Sequence, residues 1–185
     1  MVKPTYLIKA NIKKYIITQN TGGARDLLKK HRGELSARFL CNMGDLSSNH
    51  ELSNIANLCY DIASKKTTNN HIKSRIYNYR GDQSRIGGDY KNSIKMYTKA
   101  IITSPNDPTF YFNRAKTIFL DILPIKIDKT LENAMVDDYL FAIKSPILRE
   151  EIISILETIL INTHSEEIKK KIEKEIYERT NKAYV

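Results

Sequence analysis

The chain has 185 residues, 41% of them hydrophobic and 28% charged, with seven glycines and five prolines. These are ordinary values for a soluble globular domain that buries a core without disulfide or metal staples. Cys41 and Cys59 form no CxxC pair and join no Cys/His cluster, which argues against a disulfide framework or a zinc site and for two buried small hydrophobes in a reducing compartment. No run approaches the ~20 apolar residues of a membrane span. No charged-apolar-cleavage pattern of a secretory signal is visible. The expected location is cytoplasmic.

The formal net charge is +9, and it is unevenly spread. Residues 1–80 hold 14 Lys+Arg against 5 Asp+Glu, or +9. Residues 81–148 hold 9 against 8, or +1, and residues 149–185 hold 7 against 8, or −1. The whole excess lies in the first part, which favours an anionic partner there.

In chain order, helical periods dominate and no strand alternation appears. The first predicted helix covers 5–19 and ends at Asn20-Thr21-Gly22-Gly23, a loop signal. The second starts near Ala24, with Leu27, Leu28, Leu35, Phe39 and Leu40 on its apolar side and Gly33 as a point of splitting. Gly44, Ser47 and Ser48 mark 42–49 as a turn. The third predicted helix covers 51–65, with Leu52, Ile55, Ala56, Cys59, Ile62 and Ala63 on one face, and a polar linker follows to Asn70. Helices over 71–86 and 90–103 are separated by Gly87-Gly88. Pro105 stops one helix and Pro108 starts the next, over 108–122. An irregular stretch around Pro124 leads to a helix over 130–144, stopped before Pro146. Two final helices cover 147–162 and 165–183. The last is supported by Glu166–Lys170, Glu167–Lys171 and Glu175–Arg179 spacings.

Within Ser74–Asp107, small and aromatic residues fall at fixed offsets: Tyr77, Gly81, Gly88-Asp89-Tyr90, Ser93, Tyr97, Ala100 and Pro105. This stretch resembles a tetratricopeptide repeat. In such a unit Gly81 and Ala100 stand where two helices cross closely, Tyr97 fills the space they leave, and Gly88 supports the turn between them. A second unit begins at Tyr111-Phe112-Asn113-Arg114-Ala115, and its Asp138-Tyr139-Leu140-Phe141-Ala142-Ile143 parallels Met96-Tyr97-Thr98-Lys99-Ala100-Ile101, with an inter-helix loop lengthened near 121–129. Gly44, Ala56, Tyr60 and Ala63 repeat the offsets of Gly81, Ser93, Tyr97 and Ala100 in a degenerate earlier unit over 37–70. The first 35 residues show no match. The resemblance implies an all-α, right-handed α-α superhelix forming a single domain over 1–185. Basic helices occupy 1–70, repeat units 71–147 and capping helices 148–185.

Some members of that family hold a partner's C-terminal carboxylates with Lys, Asn and Arg on successive first helices. Here Asn113 takes the middle Asn position, Asn78 and Asp82 replace the earlier pair, and Glu151 and Ser154 stand where bases belong. The acid argues against that clamp. Asn78, Tyr111 and Asn113 remain the candidate groove residues. The candidate partner surface is the basic series: Lys9, Lys13 and Lys14 in the first helix, Arg25, Lys29, Lys30 and Arg32 in and after the second, and Arg38 beyond them. Each cation on such a surface adds salt-sensitive affinity for phosphate, while a solvated surface is the plain alternative. Tyr6, Tyr15 and Phe39 sit at spacings of core residues more than of base-stacking ones.

Asp137 and Asp138 are adjacent, so they point to different sides of a helix and make no acid/base pair. The four histidines are dispersed, and no GxxxxGK[ST], GxGxxG or HExxH appears. The expectation is therefore a non-catalytic adaptor without cofactor or metal. Its partner is a ribonucleoprotein, with the ribosome foremost, or an acidic protein or peptide; neither a membrane nor a small-molecule substrate is expected.

Overall fold

The computed structural model describes residues 4–122 and 129–181. Among the described residues the protein is all-α, with ten α-helices and one π-helical segment. Its contacts divide it into two compact units, Met1–Ile76 and Tyr77–Val185, with the boundary inside a helix.

The first unit holds α1 (Thr5–Ile17), α2 (Thr21–Lys30), α3 (Ala37–Asn49), α4 (Ser53–Ser64) and the start of α5 (Asn70–Ile86). Ile8, Ile12 and Ile16 recur every fourth residue and make the buried stripe of α1. They join Ala24 and Leu28 of α2, Leu35, and the inner faces of α3 and α4 in a fully enclosed core. Cys41 and Cys59 belong to this core. Burial pushes their thiols up to about 11 and about 12, so both stay protonated at neutral pH and act as small hydrophobes.

One turn recurs between paired helices. Gln19, Glu51 and Gly88 each adopt positive φ (56°, 60° and 78°) after α1, α3 and α5. In each case the next amide reaches back five residues: Asn20 N–H to the Tyr15 carbonyl (2.8 Å), Leu52 to Ser47 (2.8 Å) and Asp89 to Ser84 (2.9 Å). This closure satisfies carbonyls at the helix end, and the residue that donates is the N-cap of the following helix. Asn20 and Asp89 add side-chain caps to Gly23 and Asn92.

That turn corrects two boundaries read from the sequence. Residues 42–49 are helical, not a turn, and the chain reverses at Glu51. Gly44 is there for clearance: a Cβ on it would lie 2.7 Å from the Tyr60 ring. Thr21, Gly22 and Gly23 likewise open α2 and are not a loop. The predicted split at Gly33 holds, as α2 ends at Lys30 and α3 starts at Ala37.

The second unit holds the rest of α5, α6 (Tyr90–Thr103), α7 (Pro108–Thr117), the π-helical segment Ile118–Ile122, α8 (Lys129–Ala142), α9 (Arg149–Asn162) and α10 (Glu166–Asn181). Pro108 is the first residue of α7, and Asp107 caps it by accepting the Thr109 N–H (3.0 Å). α7 packs on both α6 and α8, and α8, α9 and α10 pack on one another. Their core includes Phe112, Ala115, Tyr139, Ile143, Leu156 and Ile172. The lengthened loop expected near Pro124 lies outside the described residues. So does the Glu175–Arg179 pairing. Glu167 does pair with Lys171 (3.9 Å), but Glu166 pairs with Lys169 (3.0 Å) and not Lys170.

Gly81 does lie at a close contact between α5 and α6. A Cβ on Gly81 would come within 2.5 Å of the Tyr97 ring, and Tyr97 and Ala100 are fully buried. Tyr97 also donates its hydroxyl to Asp82 (2.7 Å), as Tyr60 does to Asp45. Thus Gly44-Asp45 with Tyr60 and Gly81-Asp82 with Tyr97 are the same device, and α4 and α6 begin 37 residues apart (Ser53 and Tyr90).

Candidate functional site

In the first unit, the basic series falls on the outer faces of α1 and α2 and the loop after them. Lys9 is half-buried, with its ammonium 5.6 Å from the centre of the Phe39 ring. Lys13, Lys14, Arg25, Lys29, Lys30, Arg32 and Arg38 are exposed. Among the described residues none of these seven makes an ion pair. Asp45 takes Arg75 and the Tyr60 hydroxyl, and Glu34 takes His31 (3.0 Å). α1 contains no acid, and α2 contains only Asp26.

Helix-end electrostatics explains part of the series. Lys14, Lys29 and Lys30 occupy last turns, where a cation offsets the partial negative charge of unpaired carbonyls. It does not explain Lys13, Arg25, Arg32 or Arg38. The α2–α3 loop is held by Lys66, a residue of the polar linker after α4. The Lys66 ammonium donates to the carbonyls of Arg32 (2.7 Å), Gly33 (2.9 Å) and Leu35 (2.6 Å). No spacing rule finds such a contact, because it joins residues more than thirty positions apart.

Tyr6 departs from its expected core position: it is 68% exposed, and Leu7 and Ile17 are 41% and 49% exposed. α1 is therefore apolar on its buried face and again on its outer one. Tyr15 and Phe39 are half-buried.

In the second unit, Asn113 donates to the Asn78 side-chain carbonyl (2.9 Å), tying α7 to α5. Asp82, one turn beyond Asn78, accepts the Tyr97 hydroxyl. Burial pushes the Asp82 carboxyl above its usual range, partly offset by the Tyr97 hydrogen bond and by Arg85. A carboxyl raised in the folded state favours folding below its unfolded pKa, and that contribution is lost as pH rises through the folded value. Asp82→Asn keeps an acceptor for Tyr97 without the charge. It should therefore gain stability relative to wild type as pH rises from 3 to 7, as read in urea unfolding at each pH; a constant difference across that range would show that Asp82 is not raised.

Tyr111 stacks on Phe141 (centroids 4.0 Å apart, 29° between planes) and donates to the Pro105 carbonyl (3.0 Å). Several charges of this unit are paired within it. Arg85 meets Asp121 (3.3 Å), and Glu151, standing where a clamp needs a base, is held by Lys116 (2.9 Å). Asp137 and Asp138 point apart as expected, the first to Lys171 (3.2 Å) and the second, buried, to Arg114.

A hollow of about 800 Å³ opens between Phe119, Leu120, Met135, Ile159 and His164 in this unit. Its Glu132 carboxylate is already engaged by the Thr163 hydroxyl (2.7 Å). Among the described residues no three His, Cys, Asp or Glu side chains cluster to hold a metal, and no helix is long and apolar enough to cross a membrane. The chain matches no family model, no curated protein and no solved structure.

Proposed function

We propose that the protein is a non-catalytic, cytoplasmic adaptor of tetratricopeptide type, docking through the basic face of its first unit on a ribonucleoprotein, with the ribosome as first candidate. The observation that carries this reading is the set of seven exposed cations on α1, α2, the loop after α2 and the start of α3 with no carboxylate partner among the described residues. Unpaired cations cost nothing to desolvate from a salt bridge and release counterions when they meet phosphate. The repeat reading rests on the two matching Gly-Asp and Tyr devices and on the shared turn between paired helices. In this reading α3–α4, α5–α6 and α7–α8 are the successive repeat hairpins of a right-handed superhelix, α1 and α2 are additional N-terminal helices, and α9 and α10 act as its cap.

The test is charge reversal. Lys29→Glu, Lys30→Glu and Arg32→Glu together should weaken binding to purified ribosomes by about ten-fold or more at low salt and flatten its salt dependence, with helix content unchanged in circular dichroism. Unaltered binding would move the contact elsewhere.

A second reading is favoured by the outer face of α1. Tyr6, Leu7 and Ile17 stand exposed beside Lys13 and Lys14, a combination that an apolar, acidic protein surface would cover. In that reading the adaptor is a complex subunit or assembly chaperone, and co-purification from cells survives RNase. The first reading requires that RNase releases the partner or leaves only ribosomal particles attached.

A further inference from the structure

We infer that the second unit carries its own contact surface for single-stranded nucleic acid, formed by the lysine row of α6 and the aromatic group Tyr77, Tyr111 and Phe141. The surface belongs to the second unit alone and does not rest on the basic face of the first.

The lysine row comes from helical period. Ser93, Tyr97, Ala100 and Ile101 make the buried face of α6. Lys91, Lys95 and Lys99 recur every fourth residue on the opposite side, and all three are exposed. One turn of helix, about 5.4 Å, separates each from the next. α6 contains no acid. The aspartates flanking it serve as caps, Asp89 to the Asn92 N–H (3.1 Å) and Asp107 to the Thr109 N–H (3.0 Å). The other described acids from α7 to α8 are also engaged: Asp121 by Arg85, Glu132 by the Thr163 hydroxyl, Asp137 by Lys171 and Asp138 by Arg114. The near-neutral count over 81–148 therefore hides cations that no acid neutralises. Among the described residues Lys91, Lys95, Lys99 and Lys144 have no carboxylate partner.

The rings adjoin that row. Tyr77 and Tyr111 both pack on the cluster of Ala100, Ile101 and Phe110, at the C-terminal end of α6. The Lys99 ammonium lies 5.7 Å from the Tyr77 ring centre, and Lys144 lies 4.7 Å from that of Phe141. Phe141 occupies in its helix the place that Lys99 occupies in α6, and it stacks on Tyr111 where Lys99 covers Tyr77. Tyr77 and Phe141 are each half-buried, and each ring has a lysine ammonium group over it. Magnitudes decide what displaces them. An exposed cation–π contact shifts an equilibrium by about two- to five-fold, whereas a base stacked on an aromatic ring contributes from about five-fold to over a hundred-fold. A base can take the ring face, and the displaced lysine is then free to meet the adjoining phosphate. An acidic peptide would meet the lysines but gains nothing comparable from flat ring faces.

The experiment uses the full chain carrying Lys29→Glu, Lys30→Glu and Arg32→Glu, so that loss of the first unit's surface and loss of this one are read separately. The probes are a fluorescent ten-nucleotide oligouridine, its DNA counterpart, an RNA duplex and polyglutamate, followed by anisotropy. The expected result is that both single strands bind more tightly than duplex or polyglutamate. Adding Lys91→Glu and Lys95→Glu should weaken the single strands at least ten-fold and reduce the slope of log affinity against log salt by about 1.4. Phe141→Leu should weaken them about five-fold or more with the slope unchanged. Photo-crosslinking of 4-thiouridine in the same oligomer should label Tyr77, Tyr111 or Phe141, a readout that needs no variant to fold. Equal binding of polyglutamate, an acidic-polymer response only, would overturn the proposal. So would cross-links confined to other residues, or affinity indifferent to the Lys91 and Lys95 reversals.

Discussion

Gly81→Val should destabilise the protein by about 3 kcal/mol or more, read as a lower urea midpoint at unchanged slope. The new side chain would begin with a Cβ 2.5 Å from Cε1 and 2.7 Å from Cδ1 of Tyr97. Real Cβ atoms do not approach carbon so closely, so something must move. The ring has nowhere to go: it is fully buried, and its hydroxyl is fixed on Asp82. Overpacking of this kind costs about 1–3 kcal/mol for smaller intrusions, and valine adds two further methyls to the clash. Gly81→Ala is the informative intermediate. Alanine gains about 1 kcal/mol of helix propensity over glycine, which offsets part of the strain, so its net loss should be about 1–2 kcal/mol. Gly33→Ala is the control, because a Cβ there meets nothing within 4 Å. The clash is also testable by cycle: in a Tyr97→Leu background, Gly81→Val should cost clearly less than in wild type. Equal costs in the two backgrounds would mean that Tyr97 is not what the glycine makes room for.

That same contact shows what the sequence could and could not reveal. Gly81, Tyr97 and Ala100 were legible because a close crossing demands a residue type at a set distance along the chain. Gly88 was legible because a positive φ is comfortable for glycine. The turn at Glu51 was not legible, because a non-glycine residue takes the left-handed conformation there while Gly44, nearby, serves clearance instead. A glycine has two structural uses, and composition alone does not separate them. The polar contacts were the least legible. Lys66 on the loop carbonyls, Asn113 on Asn78 and Arg85 on Asp121 each join positions more than thirty residues apart. The basic series was legible as charge, yet its availability was not. Which cations are left over depends on where each acid is spent, and in α6 to α8 that pairing converts a near-balanced count into an unmatched lysine row.

Arg114→Met should cost about 3–5 kcal/mol in urea unfolding at pH 7, and the reason is an asymmetry between the two partners of one ion pair. Arg114 of α7 meets Asp138 of α8 through two parallel bonds of 2.7 Å each, and its remaining arm donates to Thr98 of α6 (2.9 Å). Asp138 is buried, with its side chain 5% exposed, while that of Arg114 is 21% exposed. The bond to Asp138 is the main influence holding the guanidinium in its charged form. Removing the arginine strands a carboxylate that water cannot reach. Removing the carboxylate, as in Asp138→Leu, leaves an arginine that still reaches Thr98 and solvent, so that variant should lose less. The double variant, with both charges gone, should recover most of the loss, because the desolvation cost disappears together with the attraction. The pH dependence fixes the sign. Burial raises the Asp138 carboxyl even against the lowering influence of Arg114, and loss of Arg114 should raise it further. Its protonated form then suits the folded state at low pH, and that advantage is lost as pH rises through the raised value. The deficit of Arg114→Met should accordingly be small near pH 3 and widen towards pH 7. A deficit that stays constant over that interval would mean that the arginine acts by packing and not by holding the charge of Asp138.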